Sequence, residues 1–95
     1  MNIEKIWNKL VENENVRFFT TVEKIGFTYK VSGDRIEIYP DTGVDYKTVY
    51  KDDFAEVITK YWPLKRVRDL PERNIGGRYF PRSYVYALLK DSRII

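Results

Sequence analysis

The stretch FTYKVSGDRIEIY, residues 27–39, constrains the fold more than any other part of the chain. Phe27, Tyr29 and Val31 alternate with Thr28 and Lys30, and after Ser32, Gly33 and Asp34 the residues Ile36 and Ile38 alternate with Arg35, Glu37 and Tyr39. A period of two on both sides of a turn tripeptide predicts two antiparallel strands with one apolar face and one wet face. RFFTTV at residues 17–22, set off by Gly26, predicts a strand before them. KTVY at residues 47–50, after a turn at Pro40, Asp41 and Gly43, predicts a short fourth.

The apolar face of such a meander has to be covered, and the flanking sequence supplies helices. Ile3, Ile6, Trp7, Leu10 and Val11 recur at helical spacing, with Asn2 as N-cap and an end near Asn13. Phe54, Val57, Ile58, Tyr61 and Trp62 repeat that spacing in a second helix, which the capping-box pair Asp53 and Glu56 opens and Pro63 stops. SYVYALLKD at residues 83–91 predicts a short terminal helix, with Ser83 as N-cap and Val85, Leu88 and Leu89 as its apolar stripe. The expected class is α+β: an antiparallel meander of three or four strands with three helices on one face, in one domain spanning residues 1–95. Both tryptophans lie on apolar helix stripes and read as core.

Two absences narrow the chemistry. The chain has no Cys and no His, which removes disulfides, thiolate nucleophiles, imidazole bases and Cys or His metal sites. Carboxylates, lysine, tyrosine and serine remain, with or without a hard metal on oxygen ligands. No motif requires a cofactor or metal. No apolar run approaches the roughly 20 residues that cross a bilayer, and Glu4, Lys5 and Trp7 interrupt the start where a signal peptide carries an apolar core, so a cytoplasmic protein without a membrane segment is expected.

One segment carries no clear period: LKRVRDLPERNIGGRYFPRS, residues 64–83. The formal net charge is +3, but seven cations face two carboxylates between positions 60 and 82, while ten cations face twelve carboxylates elsewhere. Loops longer than about 12 to 15 residues in small domains tend to be functional or disordered. Arginine interleaved with aromatics is the composition of single-strand nucleic-acid surfaces, where cations hold phosphates and rings stack bases. The candidate anion-binding residues are Lys65, Arg66, Arg68, Arg73, Arg78 and Arg82, with Tyr79 and Phe80 as stacking groups. Gly76 and Gly77 would shape a turn whose N–H groups converge on an anion before the last helix, although the spacing is neither a Walker loop nor a dinucleotide fingerprint.

Pro40, Asp41, Asp45 and Lys47 spell PD…D-x-K, which resembles the signature of the PD-(D/E)-x-K nucleases, whose two carboxylates hold Mg²⁺ while the lysine orients water. The resemblance spans residues 40–47 alone. Three residues separate the carboxylates where that family has a longer hairpin around a mixed sheet, so two solvated aspartates in a turn are expected instead. The wet face of the sheet, with Thr28, Lys30, Arg35, Glu37 and Tyr39, is a further candidate for binding a strand or a base, but the two βαβ halves of the RNA-recognition module are missing. The sequence therefore points to a non-enzymatic module that binds nucleic acid or another polyanion. The rival reading is a protein-interaction module, an inhibitor or accessory factor, using the same surface or a free sheet edge.

Overall fold

A computed structural model describes residues 2–43, 45–73, 75 and 79–95. Helix α1 (Ile3–Glu12) starts where Asn2 accepts the Glu4 N–H at 2.8 Å, and it buries Ile6, Trp7 and Leu10. Strands β1 (Phe18–Phe19), β2 (Gly26–Ser32), β3 (Arg35–Pro40) and β4 (Lys47–Tyr50) form one antiparallel sheet in chain order. Helix α2 (Lys51–Lys60), a 3-10 turn (Val67–Asp69) and helix α3 (Arg82–Lys90) follow among the described residues. The fold is α+β, a meander with three helices, as the alternation predicts. No helix among the described residues is long and apolar enough to cross a membrane.

The register separates the two faces of the sheet. Phe18 lies opposite Phe27, Tyr29 opposite Ile38, and Ile36 opposite Val49, and all six are buried in one cluster with Trp7, Leu10, Phe54, Val57, Val85, Leu88 and Leu89. Trp7 meets Phe54 edge-on at 6.1 Å and so joins α1 to α2. Trp62, expected on the apolar stripe of the second helix, lies beyond the end of α2 and is only half-buried against this cluster. The opposite face presents Thr28, Lys30, Arg35, Glu37 and Tyr39, whose side chains are exposed or half-exposed.

Tyr29 ties α1 to the sheet. Its buried hydroxyl donates to the Leu10 carbonyl at 2.5 Å, one of the helix-end acceptors that lack an intrahelical donor. Burial first, and then the nearby Glu14 carboxylate, push its ionisation far upward, so it remains a donor. The Asn15 N–H returns to the Tyr29 carbonyl at 2.9 Å, with Asn15 in the left-handed region at φ 66°, a conformation that asparagine tolerates.

Three boundaries differ from expectation. The first strand was expected over 17–22 but ends at Phe19, because Thr20 reverses the chain: its N–H donates to Ile25 O and its hydroxyl accepts from Ile25 N, both at 2.9 Å. Local side-chain to backbone bonding here outweighs the β propensity of the following Thr21 and Val22. Helix α2 begins at Lys51, so Asp53 is its third residue, and its carboxylate accepts the Tyr50 N–H at 2.9 Å. Helix α3 begins at Arg82 with Pro81 at the cap position, leaving Ser83 inside the first turn. Proline is well suited to a helix start because it has no N–H to leave unpaired.

The C-terminal residues close the free edge of β1. The Arg93 guanidinium lies 4.0 Å from the centre of the Phe18 ring, donates to Arg17 O at 3.3 Å and pairs with Asp91 at 2.8 Å.

Tyr29→Phe leaves the Leu10 carbonyl without its donor and is expected to cost about 1–3 kcal/mol. Trp7→Ala is expected to cost about 3–5 kcal/mol, and Trp62→Ala clearly less. Urea denaturation followed by circular dichroism gives all three values, and a Tyr29→Phe midpoint equal to wild type would show that the bond does not anchor α1.

Candidate nucleic-acid interface

The arginine-rich segment is a strap across the core. Leu64, Leu70, Ile75 and Phe80 are each no more than 1% exposed. Helix α3 satisfies the strap's backbone from beneath: Tyr86 Oη donates to Lys65 O at 2.9 Å and Lys90 Nζ to Leu64 O at 2.7 Å. Farther along, the Phe80 N–H donates to Glu72 O at 2.8 Å.

This arrangement divides the residues expected to bind anions. Lys65, Arg66, Arg68 and Arg73 are exposed. The N–H groups of Lys65 and Arg66 both donate to Asp69 Oδ2, at 2.8 and 3.0 Å, and hold that carboxyl below its ordinary range. Arg66 Nε also lies 3.7 Å from the Asp69 carboxylate. Arg82 is not displayed: it donates to Leu70 O at 2.9 Å and to Glu72 at 3.0 Å, pinning the strap to the start of α3. Phe80 is not a stacking group, because its ring is packed into the core. Tyr79, its neighbour, is 54% exposed. Gly76, Gly77 and Arg78 lie outside the described residues.

Tyr79 brings the strap to the β4 edge of the sheet. Lys47 lies opposite Ile38 and thus on the helix side of β4, and its Nζ is 5.8 Å from the centre of the Tyr79 ring. A hollow of about 370 Å³ between them is lined by Tyr46, Lys47, Thr48, Tyr50, Tyr79 and Pro81. On the outer face, the Tyr46 ring lies 5.5 Å from that of Tyr39 at 36°, and Lys30 Nζ is 5.8 Å from the Tyr39 ring. Tyr39 donates its hydroxyl to Glu37 at 3.2 Å, and burial followed by that carboxylate raises its pKa. Lys30, Tyr39, Tyr46, Tyr79 and Lys47 thus run as one strip from the sheet face around β4 to the strap. Rings at stacking distance with ammonium groups at both ends can hold bases and phosphates together. Tyr46 was missed by sequence reading because it precedes β4 in a turn, where no periodicity assigns it a face.

The PD…D-x-K residues have other neighbours. Asp41 pairs with Arg17, and its carboxylate packs against Gly26 so closely that any side chain there would collide with it. Lys47 faces Tyr79, and among the described residues no three carboxylates cluster to hold a metal.

No family model matches this chain, and neither a curated protein nor a solved structure is significantly similar to it.

The adjacent aromatics Tyr79 and Phe80 are expected to behave oppositely. Phe80→Ala should cost about 3–5 kcal/mol, whereas Tyr79→Ala should stay within about 0.5 kcal/mol of wild type. Denaturant midpoints of the two variants check this, and equal losses would place Tyr79 in the core as well.

Proposed function

We propose that this chain is a small non-enzymatic cytoplasmic module that binds single-stranded nucleic acid along the tyrosine strip of the sheet and strap. The observation that carries the reading is the Tyr39–Tyr46 ring pair, 5.5 Å apart on a helix-free face and continued by Tyr79, with Lys30 and Lys47 each 5.8 Å from a ring. Bases of any sequence offer a π face to such rings, while the ammonium groups, with Arg66, Arg68 and Arg73 on the strap, supply charge for phosphates. A duplex keeps its bases stacked on one another, so exposed stacking rings favour a single strand.

A protein partner is the second reading. Val22 and Phe19 are 77% and 56% exposed at the β1 end of the sheet, apolar groups for which a nucleic-acid backbone has no use.

Fluorescence anisotropy with a labelled dT 12-mer at low salt distinguishes the two. Wild type is expected to bind, with affinity falling steeply as salt rises. Tyr39→Ala with Tyr46→Ala should weaken binding by about 1–3 kcal/mol per stacked base lost. Lys30→Ala with Lys47→Ala should flatten the logarithmic salt slope by about 1.4 units. Absence of binding at low ionic strength would remove the single-strand reading and leave the protein partner.

A further inference from the structure

We propose that the cleft beneath the β1–β2 turn is a guanine-selective base pocket, an inference that rests on the single-strand reading and adds a base preference to it. The cleft measures about 370 Å³, and its polar or aromatic lining includes Thr20, Thr21, Glu23, Lys47, Tyr79 and Tyr84. It opens beside the same Tyr79 and Lys47 that end the tyrosine strip, so a strand laid along the strip reaches it without leaving the surface. Tyr79 supplies an exposed aromatic wall, and Tyr84 a second one fixed edge-on against Phe27 at 5.0 Å.

The polar groups of the cleft suit one base better than the rest. Glu23 is an acceptor only and Lys47 a donor only. A carboxylate takes two parallel N–H donors best, and only guanine carries two adjacent donors, N1–H and the N2 amino group, on its Watson–Crick edge. Adenine and cytosine place an acceptor lone pair beside their amino group, and thymine and uracil flank a single N–H with two carbonyls. Each of these turns a lone pair toward the carboxylate. Guanine O6 and N7 in turn accept from a donor such as the Lys47 ammonium. Glu23 and Tyr84 both line the cleft, and the Glu23 charge, after burial and Tyr79, helps to raise the Tyr84 pKa.

The turn that carries Glu23 is held before any ligand arrives. Thr20 clamps both ends through its two 2.9 Å bonds with Ile25, and Lys24 occupies the left-handed region at φ 59°. A lysine in that conformation is uncommon and fits a turn whose backbone is set by the surrounding bonds. A backbone held in this way leaves less to order on binding than a mobile turn would.

The test uses the full chain and four labelled 12-mers: dT12, and dT12 with one central dG, dC or dA. The dG probe is expected to bind about tenfold more tightly than the other three. Glu23→Gln, on an exposed residue, should keep the wild-type denaturation midpoint and reduce that preference to less than about twofold, whereas the control Glu12→Gln on α1 should keep the preference. Equal wild-type binding of all four probes, or an undiminished dG preference in Glu23→Gln, overturns the guanine pocket and leaves the single-strand reading standing. Failure of wild type to bind any probe overturns both.

Discussion

The hydrogen bond from a buried tyrosine to the end of a helix is the joint on which this small fold depends. Tyr29 stands on β2, which pairs on both edges, and its ring rests on Phe18 at 5.8 Å while its hydroxyl reaches the Leu10 carbonyl. Two further links run across the same joint: Asn15 N–H to Tyr29 O, and Val31 N–H to the Glu14 carboxylate at 2.8 Å. A phenolic group in an apolar interior is expensive unless bonded, and a helix end is expensive unless capped. Each group removes the other's penalty. Because α1 is held to the inner side of the sheet in this way and α2 packs on α1 through Trp7 and Phe54, Tyr39 and Lys30 on the outer side are left without a helical cover.

The elements with strong period were legible from sequence. The alternation from Phe27 to Tyr39 set two strands and their faces, and Ile6, Trp7 and Leu10 set the buried stripe of α1. Boundaries were less legible wherever a single side chain redirected the backbone, as the Thr20 hydroxyl does in ending β1 and the Asp53 carboxylate does in bonding the Tyr50 N–H. Neither bond leaves a trace in periodicity, and β-branched Thr21 and Val22 argue for the strand that Thr20 interrupts.

The strap was the hardest segment to read because its two roles are interleaved. Leu64, Leu70, Ile75 and Phe80 are spaced by six, five and five residues, which fits neither a strand nor a helix, and arginines dominate the composition between them. Composition therefore suggested a surface, whereas half of the segment's purpose is closure of the core. Of its expected binding groups, Lys65, Arg66, Arg68, Arg73 and Tyr79 are displayed, while Phe80 and Arg82 hold the strap down. Part of the candidate site was invisible for a different reason: Tyr46 and Tyr39 come within 5.5 Å only through the pairing of β3 with β4 and the turn that joins them.

The tail around Arg93 has a consequence for how copies of this chain behave at high concentration. An edge strand offers its unpaired backbone groups to any passing strand, and sheets that are extended in this way aggregate. Here the edge at β1 is only two residues long, and the guanidinium that covers Phe18 also occupies the carbonyl of Arg17 just before it. The C-terminal residues thus act as a guard against edge-to-edge polymerisation on this side of the sheet.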